Sequence, residues 1–120
     1  MACILFVDDD PYTLETLTKA AELFGHRAVL AGSGHEALRS LVNEKPDLVF
    51  VDLMLPDMDG LQVLAKIGDL VDGHPPPIYM LTAAAEGNPS EQALALGAQA
   101  YITKPLRLAT LLEIIQKHLD

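Results

Sequence analysis

Five short apolar runs, separated by longer stretches with helical spacing, are the feature of this 120-residue sequence that most restricts its fold. The runs predict strands, in chain order, at Cys3–Val7, Arg27–Ala31, Leu48–Asp52, Ile78–Thr82 and 98–102. Three of them are apolar almost without interruption, which is typical of strands that are covered on both faces. The sequence therefore predicts an α/β fold with a parallel sheet and helices on both sides.

Helices are predicted after each strand, because apolar residues recur there at steps of three and four. The first begins at Asp10-Pro11, a side-chain cap followed by a residue favoured in the first turn, and ends at Gly25. The second, at about 35–43, has Val42 among its inward positions, and the last, at 108–119, begins its apolar face with Leu108. The third follows residue 60, and the fourth covers roughly 90–96.

Polar residues stand where the predicted strands end. Asp8 and Asp9 follow the first strand, Asp52 closes the third, Thr82 closes the fourth, and the fifth leads to Lys104. The carboxyl ends of parallel strands meet at one edge of a sheet, and open sheets of this kind bind their ligands there. We therefore expect these side chains to lie close together.

Three carboxylates at one edge have a definite chemical meaning. Ionised together, Asp8, Asp9 and Asp52 would repel one another unless a cation neutralises them. Oxygen ligands of this kind suit Mg²⁺, and the metal leaves one carboxylate available as a nucleophile that forms an acyl phosphate. Lys104 is suited to pair with a carboxylate or phosphoryl oxygen, and Thr82 is placed to donate to a phosphorylated Asp52.

Other residues have simpler interpretations. Asp10 is expected to cap the first helix, and Asp57 and Asp59 in PDMDG are expected to be turn and cap residues. Tyr101, on the fifth predicted strand, is either half-buried packing or a side chain that moves between exposed and buried positions.

Composition excludes several classes of protein. The formal charge of −9 speaks against direct binding of nucleic acid by this domain. No apolar run approaches the ~20 residues of a membrane span, and the start lacks the pattern of a signal peptide. The single cysteine rules out a disulfide within the chain. We expect one cytoplasmic domain covering residues 1–120, not associated with a membrane.

Four segments resemble, in order and spacing, the response-regulator receiver domains of two-component signalling: ILFVDDDP, VDLMLPDMDG, MLTA and GAQAYITKP. The resemblance extends over the whole chain. It implies a (βα)5 flavodoxin-like fold, in which a doubly wound, five-stranded parallel sheet has the strand order 2-1-3-4-5.

The resemblance also implies a metal site and a phosphoacceptor. Asp52 is similar to the phosphoacceptor, and Asp9 to the residue that binds Mg²⁺ or Mn²⁺ directly. Asp8 resembles the second acid, which acts through a metal-bound water. Met54 matches the position whose backbone carbonyl completes the metal site.

The remaining implied roles concern switching. Lys104 resembles the lysine that contacts the phosphoryl group, and Thr82 and Tyr101 match the paired switch residues. The implied donor is a histidine kinase or a histidine phosphotransfer protein. The implied readers are a downstream effector or an attached output domain, which contact the surface of the fourth helix, fifth strand and fifth helix. A monomer and a phosphorylation-dependent dimer both remain open.

Three features depart from the family pattern or fall outside its motifs. The entry to the fourth strand, HPPP at 74–77, is unusually stiff, and the small residues at 83–87 predict a mobile loop. The last helix lacks the dense arginine pattern of receivers that dimerise before DNA binding.

Two rival interpretations stay open at this point. One is a Mg²⁺-dependent phosphohydrolase with an aspartyl-phosphate intermediate, in which Asp8 is the nucleophile and Asp10 the acid. The other is a structural interaction module with an inactive pocket. The helix-cap role of Asp10 argues against the first, and the convergence of acids, threonine and lysine argues against the second.

Overall fold

The structure is a computed structural model that describes residues 1–70, 73–83 and 90–119, with the side chain of residue 90 left out. Strands and helices alternate along the described chain. The elements are β1 (Cys3–Val7), α1 (Pro11–Leu23), β2 (Arg27–Ala31), α2 (Gly34–Glu44), β3 (Leu48–Asp52), α3 (Gly60–Leu70), β4 (Ile78–Thr82), α4 (Ser90–Ala95), β5 (Ala100–Thr103) and α5 (Leu108–His118).

The strands form one parallel sheet in the order β2-β1-β3-β4-β5, which confirms the predicted fold. Its register aligns the strand ends. Val7 pairs with Ala31 on one side and with Val51 on the other, and Asp52 pairs with Leu81. The residues that follow β1 and β3 therefore leave the sheet at the same edge.

The three central strands are buried along their whole length, as their continuous apolar runs predict. On the face covered by α1 and α5, the rings of Phe6, Phe50 and Tyr79 stack in a row with centroids 5.4 and 5.6 Å apart. On the opposite face, apolar residues of α2 and α3 pack against the sheet together with Ala93 of α4. Within the described residues, no helix has the length and apolar character that a membrane span requires.

The fifth strand begins later than predicted, at Ala100 instead of residue 98. Gly97 has a φ of +107°, and the N–H of Ala98 donates to the carbonyl of Ala93 at 3.0 Å. Residues 97 and 98 therefore complete the end of α4 and are not free to pair with β4. Of the loop predicted to be mobile at 83–87, residues 84–87 lie outside the described residues.

Two predicted inward positions are wrong. Val42 is 50 % exposed, because its neighbour Leu41 fills the inward side of α2 at this turn. Leu108, the first residue of α5, is 56 % exposed, and its neighbours at 107 and 109 are exposed as well. The buried side of α5 begins at Leu111 and includes Ile114 and Ile115.

Aspartates begin two of the helices as predicted. Asp10 caps α1 by accepting from the N–H of Tyr12 at 3.1 Å and from the hydroxyl of Thr13 at 2.7 Å. Asp59 and Gln62 form a reciprocal capping box at the start of α3, with bonds of 2.8 and 3.0 Å. The cap roles of Asp10 and Asp59 are confirmed.

Asp57 caps a helix that precedes it by more than twenty residues. Its carboxylate accepts from the N–H of Gly34 at 2.8 Å and from the N–H of His35 at 3.0 Å, both in the first turn of α2. These bonds to His35 and Gly34 hold the pKa of Asp57 well below its usual range. The prediction of a cap residue is right, but the helix that Asp57 caps is one that PDMDG did not indicate.

Gly60 brings α3 close to the end of β3. A Cβ at this position would lie 2.5 Å from the carbonyl oxygen of Asp52 and 2.9 Å from the Cα of Leu53. The Gly60 N–H also donates to the Leu53 carbonyl at 2.6 Å. Gly68, in the same helix, is exposed, and a Cβ added there would meet no neighbouring atom within 4 Å.

The same substitution should therefore have opposite effects at these two glycines. We expect Gly60→Ala to lower the free energy of unfolding by about 1–3 kcal/mol, because backbone atoms must shift to admit the methyl group. Gly68→Ala is expected to raise it by about 0.5–1 kcal/mol through helix propensity. Urea denaturation monitored by circular dichroism measures both, and a Gly60→Ala protein as stable as wild type would refute the close approach.

Asp57→Asn tests the long-range cap through pH. A carboxyl group with a depressed pKa stabilises the folded state above its unfolded pKa of about 4, and this contribution is lost as pH falls below that value. We expect the variant to be less stable than wild type at pH 7, and the gap in urea midpoint to narrow between pH 5 and pH 3. A gap that stays constant over this range would mean that the charge of Asp57 contributes nothing.

Candidate functional site

Three carboxylates meet at the edge of the sheet where β1 and β3 end. Oxygens of Asp8, Asp9 and Asp52 all lie within 4.8 Å of one another. Asp8 and Asp52 are buried, with 1 % and 7 % exposure, whereas Asp9 is exposed to solvent. The N–H of Asp8 donates to the carbonyl of Ala31 at 3.0 Å, so the end of β2 holds this segment in place.

Lys104 joins the two buried carboxylates. Its Nζ lies 2.7 Å from Oδ2 of Asp8 and 2.8 Å from Oδ2 of Asp52. The lysine follows β5, its N–H donates to the carbonyl of Thr82 at 2.7 Å, and its peptide bond to Pro105 is cis. One ammonium group therefore contacts carboxylates that come from two separate strand ends.

The second oxygen of each buried carboxylate is bonded to nearby backbone. Oδ1 of Asp8 accepts from the N–H of Asp10 at 3.0 Å, and Oδ1 of Asp52 accepts from the N–H of Met54 at 3.2 Å. Both carboxylates are thus held at both oxygens, which fixes their orientation toward the cleft.

The electrostatics of the site are not balanced. Burial raises the pKa of Asp52 in spite of the hydrogen bond from Lys104, so the ionised form of this carboxyl is disfavoured overall. For Lys104, burial acts to lower the pKa, but the bonds to Asp52 and Asp8 outweigh it and the pKa is raised. The lysine therefore stays charged at neutral pH, and an additional cation would stabilise the ionised carboxylates.

The residues present fit a hard divalent cation. All donors are carboxylate oxygens, which suit Mg²⁺ or Mn²⁺ and not the softer metals that prefer sulfur or imidazole. The single charge of Lys104 offsets only part of the charge of Asp8, Asp9 and Asp52. Met54 lies beside Asp52, and ligation by its carbonyl remains a prediction.

Thr82 and Tyr101 lie on the side of the site formed by β4 and β5. Thr82 is 2 % exposed and pairs with Thr103 at the ends of the two strands. Tyr101 is half-buried and packs against the core, and its hydroxyl is buried without a hydrogen-bond partner among the described residues. The packing interpretation of Tyr101 is confirmed for its ring, and its movement remains a prediction.

The structure brings together four of the residues that the sequence placed at strand ends, as expected from a parallel sheet: Asp8, Asp9, Asp52 and Lys104. The contact of Asp57 with the start of α2 was not foreseen. The only sequence feature that pointed to a capping role was the position of Asp57, two residues before the cap of α3. Nothing in the local sequence indicates which helix such an aspartate caps.

Comparison with known proteins agrees with this geometry. Residues 4–116 match the family described as the response regulator receiver domain. The chain is 36 % identical over 105 residues to KdpE, a transcriptional regulatory protein of Mycobacterium tuberculosis, covering 88 % of this chain and 45 % of KdpE. The chain therefore spans about half the length of this curated relative.

Two solved structures are similar throughout. A CheY-like response regulator receiver domain protein from Methanospirillum hungatei JF-1 superposes with a TM-score of 0.91 at 36 % identity, covering 100 % of this chain and 94 % of that one. The receiver domain of sensor histidine kinase PA1611 from Pseudomonas aeruginosa PAO1 has a TM-score of 0.86 at 31 % identity, covering 98 % and 96 %. In the latter a magnesium ion is coordinated in the active-site cleft.

The family match covers nearly the entire sequence, and the strand order and acidic cluster were established independently of it. This chain belongs to the response regulator receiver domain family of two-component signalling.

Proposed function

We propose that this chain is a phosphoacceptor switch in which Asp52 receives a phosphoryl group from a histidine kinase or a histidine phosphotransfer protein. Receiver domains are signalling switches, and response regulators work with histidine kinases and output domains. The observation that supports the proposal most directly is the bridge from Lys104 to Asp8 and Asp52 at a cluster of three carboxylates.

The proposed reaction is a transfer between two nucleophiles. An oxygen of Asp52 attacks phosphorus, the bond from phosphorus to the histidine nitrogen of the donor breaks, and an acyl phosphate forms on Asp52. The bonds from Met54 N–H and Lys104 Nζ hold the carboxylate in a fixed orientation for this attack. Lys104 is then available to pair with an oxygen of the transferred group, and loss of the group follows by attack of water.

The proposed metal ligands are Asp9 directly, Asp8 through a water, Asp52, and the backbone carbonyl of Met54. A bound Mg²⁺ or Mn²⁺ supplies positive charge against the phosphoryl oxygens. Support comes from the all-oxygen donor set and from the raised pKa of the buried Asp52, because Lys104 alone does not compensate for the desolvation of that carboxylate.

Switching is proposed to occur through Thr82 and Tyr101. Phosphorylation replaces the single charge of the carboxylate with a phosphate that carries about two, so it adds about one negative charge and three strong acceptors beside Lys104, and Thr82 is expected to move toward them. The bond from the Lys104 N–H to the Thr82 carbonyl joins these two segments, so that they respond together. Tyr101 would then occupy the space that Thr82 leaves and change the surface formed by α4, β5 and α5.

A downstream effector or an attached output domain is the proposed reader of that surface, and by linkage its binding favours phosphorylation. We infer that residues 1–120 form one cytoplasmic receiver unit, as a monomer or as a phosphorylation-dependent dimer. The charge of −9 supports a protein partner and not direct contact with nucleic acid.

The phosphohydrolase alternative is not favoured. It requires Asp10 as a general acid, but both oxygens of Asp10 are used at the start of α1, by Tyr12 and Thr13. The bond from Thr13, and to a lesser extent that from Tyr12, lowers the pKa of Asp10. A general acid at neutral pH needs a raised pKa instead.

Asp52→Asn tests the acceptor. Because the amide cannot form the acyl phosphate, we expect labelling by a small phosphodonor such as acetyl phosphate to fall to background. The readout is a mass increase of one phosphoryl group on the intact protein. Asp47→Asn is the matched control, since it changes an aspartate at the opposite end of the sheet, where Asp47 accepts from the N–H of Cys3.

Full labelling of Asp52→Asn would overturn the assignment of the acceptor. Turnover of a phosphate ester that depends on Asp8 and continues without Asp52 would establish the phosphohydrolase instead.

Metal removal tests the cofactor. Labelling is expected to stop in excess chelator and to return with added Mg²⁺ or Mn²⁺, because the carboxylates otherwise repel the incoming phosphoryl oxygens. Incorporation measured by intact mass at a fixed time, with and without chelator, decides this. Equal incorporation in both conditions would sink the metal requirement.

A further inference from the structure

The loop between β3 and α3, residues 53–59, carries one of the proposed metal ligands and is tied down at its base. The carbonyl of Leu53 accepts from the N–H of Gly60 at 2.6 Å, and Met54 forms an isolated antiparallel bridge with Asp59. The Met54 N–H also donates to Asp52. These contacts close the base of the loop but do not restrain its tip.

The tip of the loop is held by α2. Asp57 bonds the backbone N–H groups of Gly34 and His35 at 2.8 and 3.0 Å, and the Nδ1 of His35 also contacts its carboxylate. Met58 packs closely on Gly34: a Cβ added to Gly34 would lie 2.3 Å from the Cγ of Met58. Two successive loop residues therefore contact the first turn of the same helix.

The segment that leads from β2 into α2 also contacts the Asp8 side of the site. Only Gly32 and Ser33 separate α2 from β2. The last residue of β2, Ala31, accepts from the N–H of Asp8 at 3.0 Å. Residues 31–35 thus connect the Asp8 segment with the loop that contains Met54, one on each side of the carboxylate cluster.

We propose that Asp57 is a positioning residue for the divalent cation: by anchoring the 53–59 loop to the start of α2, it sets the spacing between Met54 and the Asp8–Asp9 segment. The inference rests on the metal site of the proposed function. Asp57 is not part of the cluster formed by Asp8, Asp9 and Asp52, and it would act only through the loop that it holds.

The physical reason lies in the order that a small cation demands. Mg²⁺ tolerates little deviation from octahedral geometry, so a ligand on a loosely held loop binds it less well. The two backbone N–H groups at a helix start are strong partners for a carboxylate, because the helix dipole adds to the hydrogen bonds. Removal of the carboxylate leaves the loop with the apolar packing of Leu55 and Met58 but without its bonds to the backbone of α2. Part of the binding energy is then spent on ordering the loop.

The test is a calorimetric titration of the full chain with Mg²⁺ alone, in the absence of any phosphodonor. We expect Asp57→Ala to raise the Mg²⁺ dissociation constant about three- to tenfold. This is less than the 10- to 100-fold typical of residues that hydrogen-bond directly to a metal-ligating side chain. Asp57→Asn keeps one acceptor oxygen and should fall between Asp57→Ala and wild type. It also remains informative if the alanine variant folds poorly.

Two controls separate positioning from a general loss of stability. Tyr79→Phe removes the 2.6 Å hydrogen bond between the Tyr79 hydroxyl and Nε2 of His118, on the face of the sheet opposite α2. Asp47→Ala removes a 2.9 Å carboxylate–backbone bond between distant segments, at the far end of the sheet. Both are expected to lower the urea midpoint while leaving the Mg²⁺ dissociation constant at the wild-type value.

The outcomes are distinct. Equal Mg²⁺ affinity of Asp57→Ala and wild type, or an equal loss in Tyr79→Phe or Asp47→Ala, would overturn the positioning role and leave the proposed function intact. A wild-type chain that does not bind Mg²⁺ would instead refute the metal site on which both proposals rest. A loss confined to the Asp57 variants supports the inference.

Discussion

The contact of Lys104 with two buried carboxylates is the interaction on which the site depends. Burial of an unpaired carboxylate costs several kcal/mol, so Asp8 and Asp52 need a counter-charge at the sheet edge. The parallel register places the ends of β1 and β3 side by side, and the loop after β5 brings the lysine across β4 to reach them. The strand order is therefore a condition of the chemistry as well as of the fold.

That single lysine leaves the cluster short of positive charge. The pKa of Asp52 is raised although Nζ of Lys104 lies 2.8 Å away, so desolvation exceeds the gain from the ion pair. Against three ionised carboxylates, one lysine leaves negative charge for a divalent cation to offset.

The meeting of the charged residues can be predicted from the sequence because it depends only on the geometry of a parallel sheet. Continuous apolar runs indicate buried parallel strands, and parallel strands end at a common edge, so the meeting of Asp8, Asp52 and Lys104 follows without knowledge of any contact. The start of β5 and the exposure of Val42 were predicted wrongly, because both depend on local packing. The spacing of apolar residues does not predict which hydrogen bonds form at the end of a helix.

Asp57 shows a second limit. Asp10, Asp57 and Asp59 all cap helices, and a short motif suffices to predict the role where the helix follows directly, as after Asp10 and Asp59. The bond from Asp57 to Gly34 spans 23 residues, and only the packing of α2 beside the loop creates it. Sequence distinguishes a capping aspartate from a buried one more easily than it identifies the partner.

The side of the site that carries Asp8 and Met54 is more firmly restrained than the side formed by β4 and β5. This difference determines which side can move when the protein switches. The carbonyl of Ala31 accepts from Asp8, and the N–H groups of Gly34 and His35 donate to Asp57, so residues 31–35 restrain the side that carries Asp8 and Met54. On the other side, β5 is an edge strand whose residues are only half-buried or exposed, and Tyr101 has a buried hydroxyl without a partner among the described residues. An unsatisfied buried hydroxyl lowers the cost of leaving the observed position. If Asp52 is the phosphoacceptor, as proposed, the added charge is therefore expected to displace the β4–β5 side, while the side that carries Asp8 and Met54 keeps its geometry.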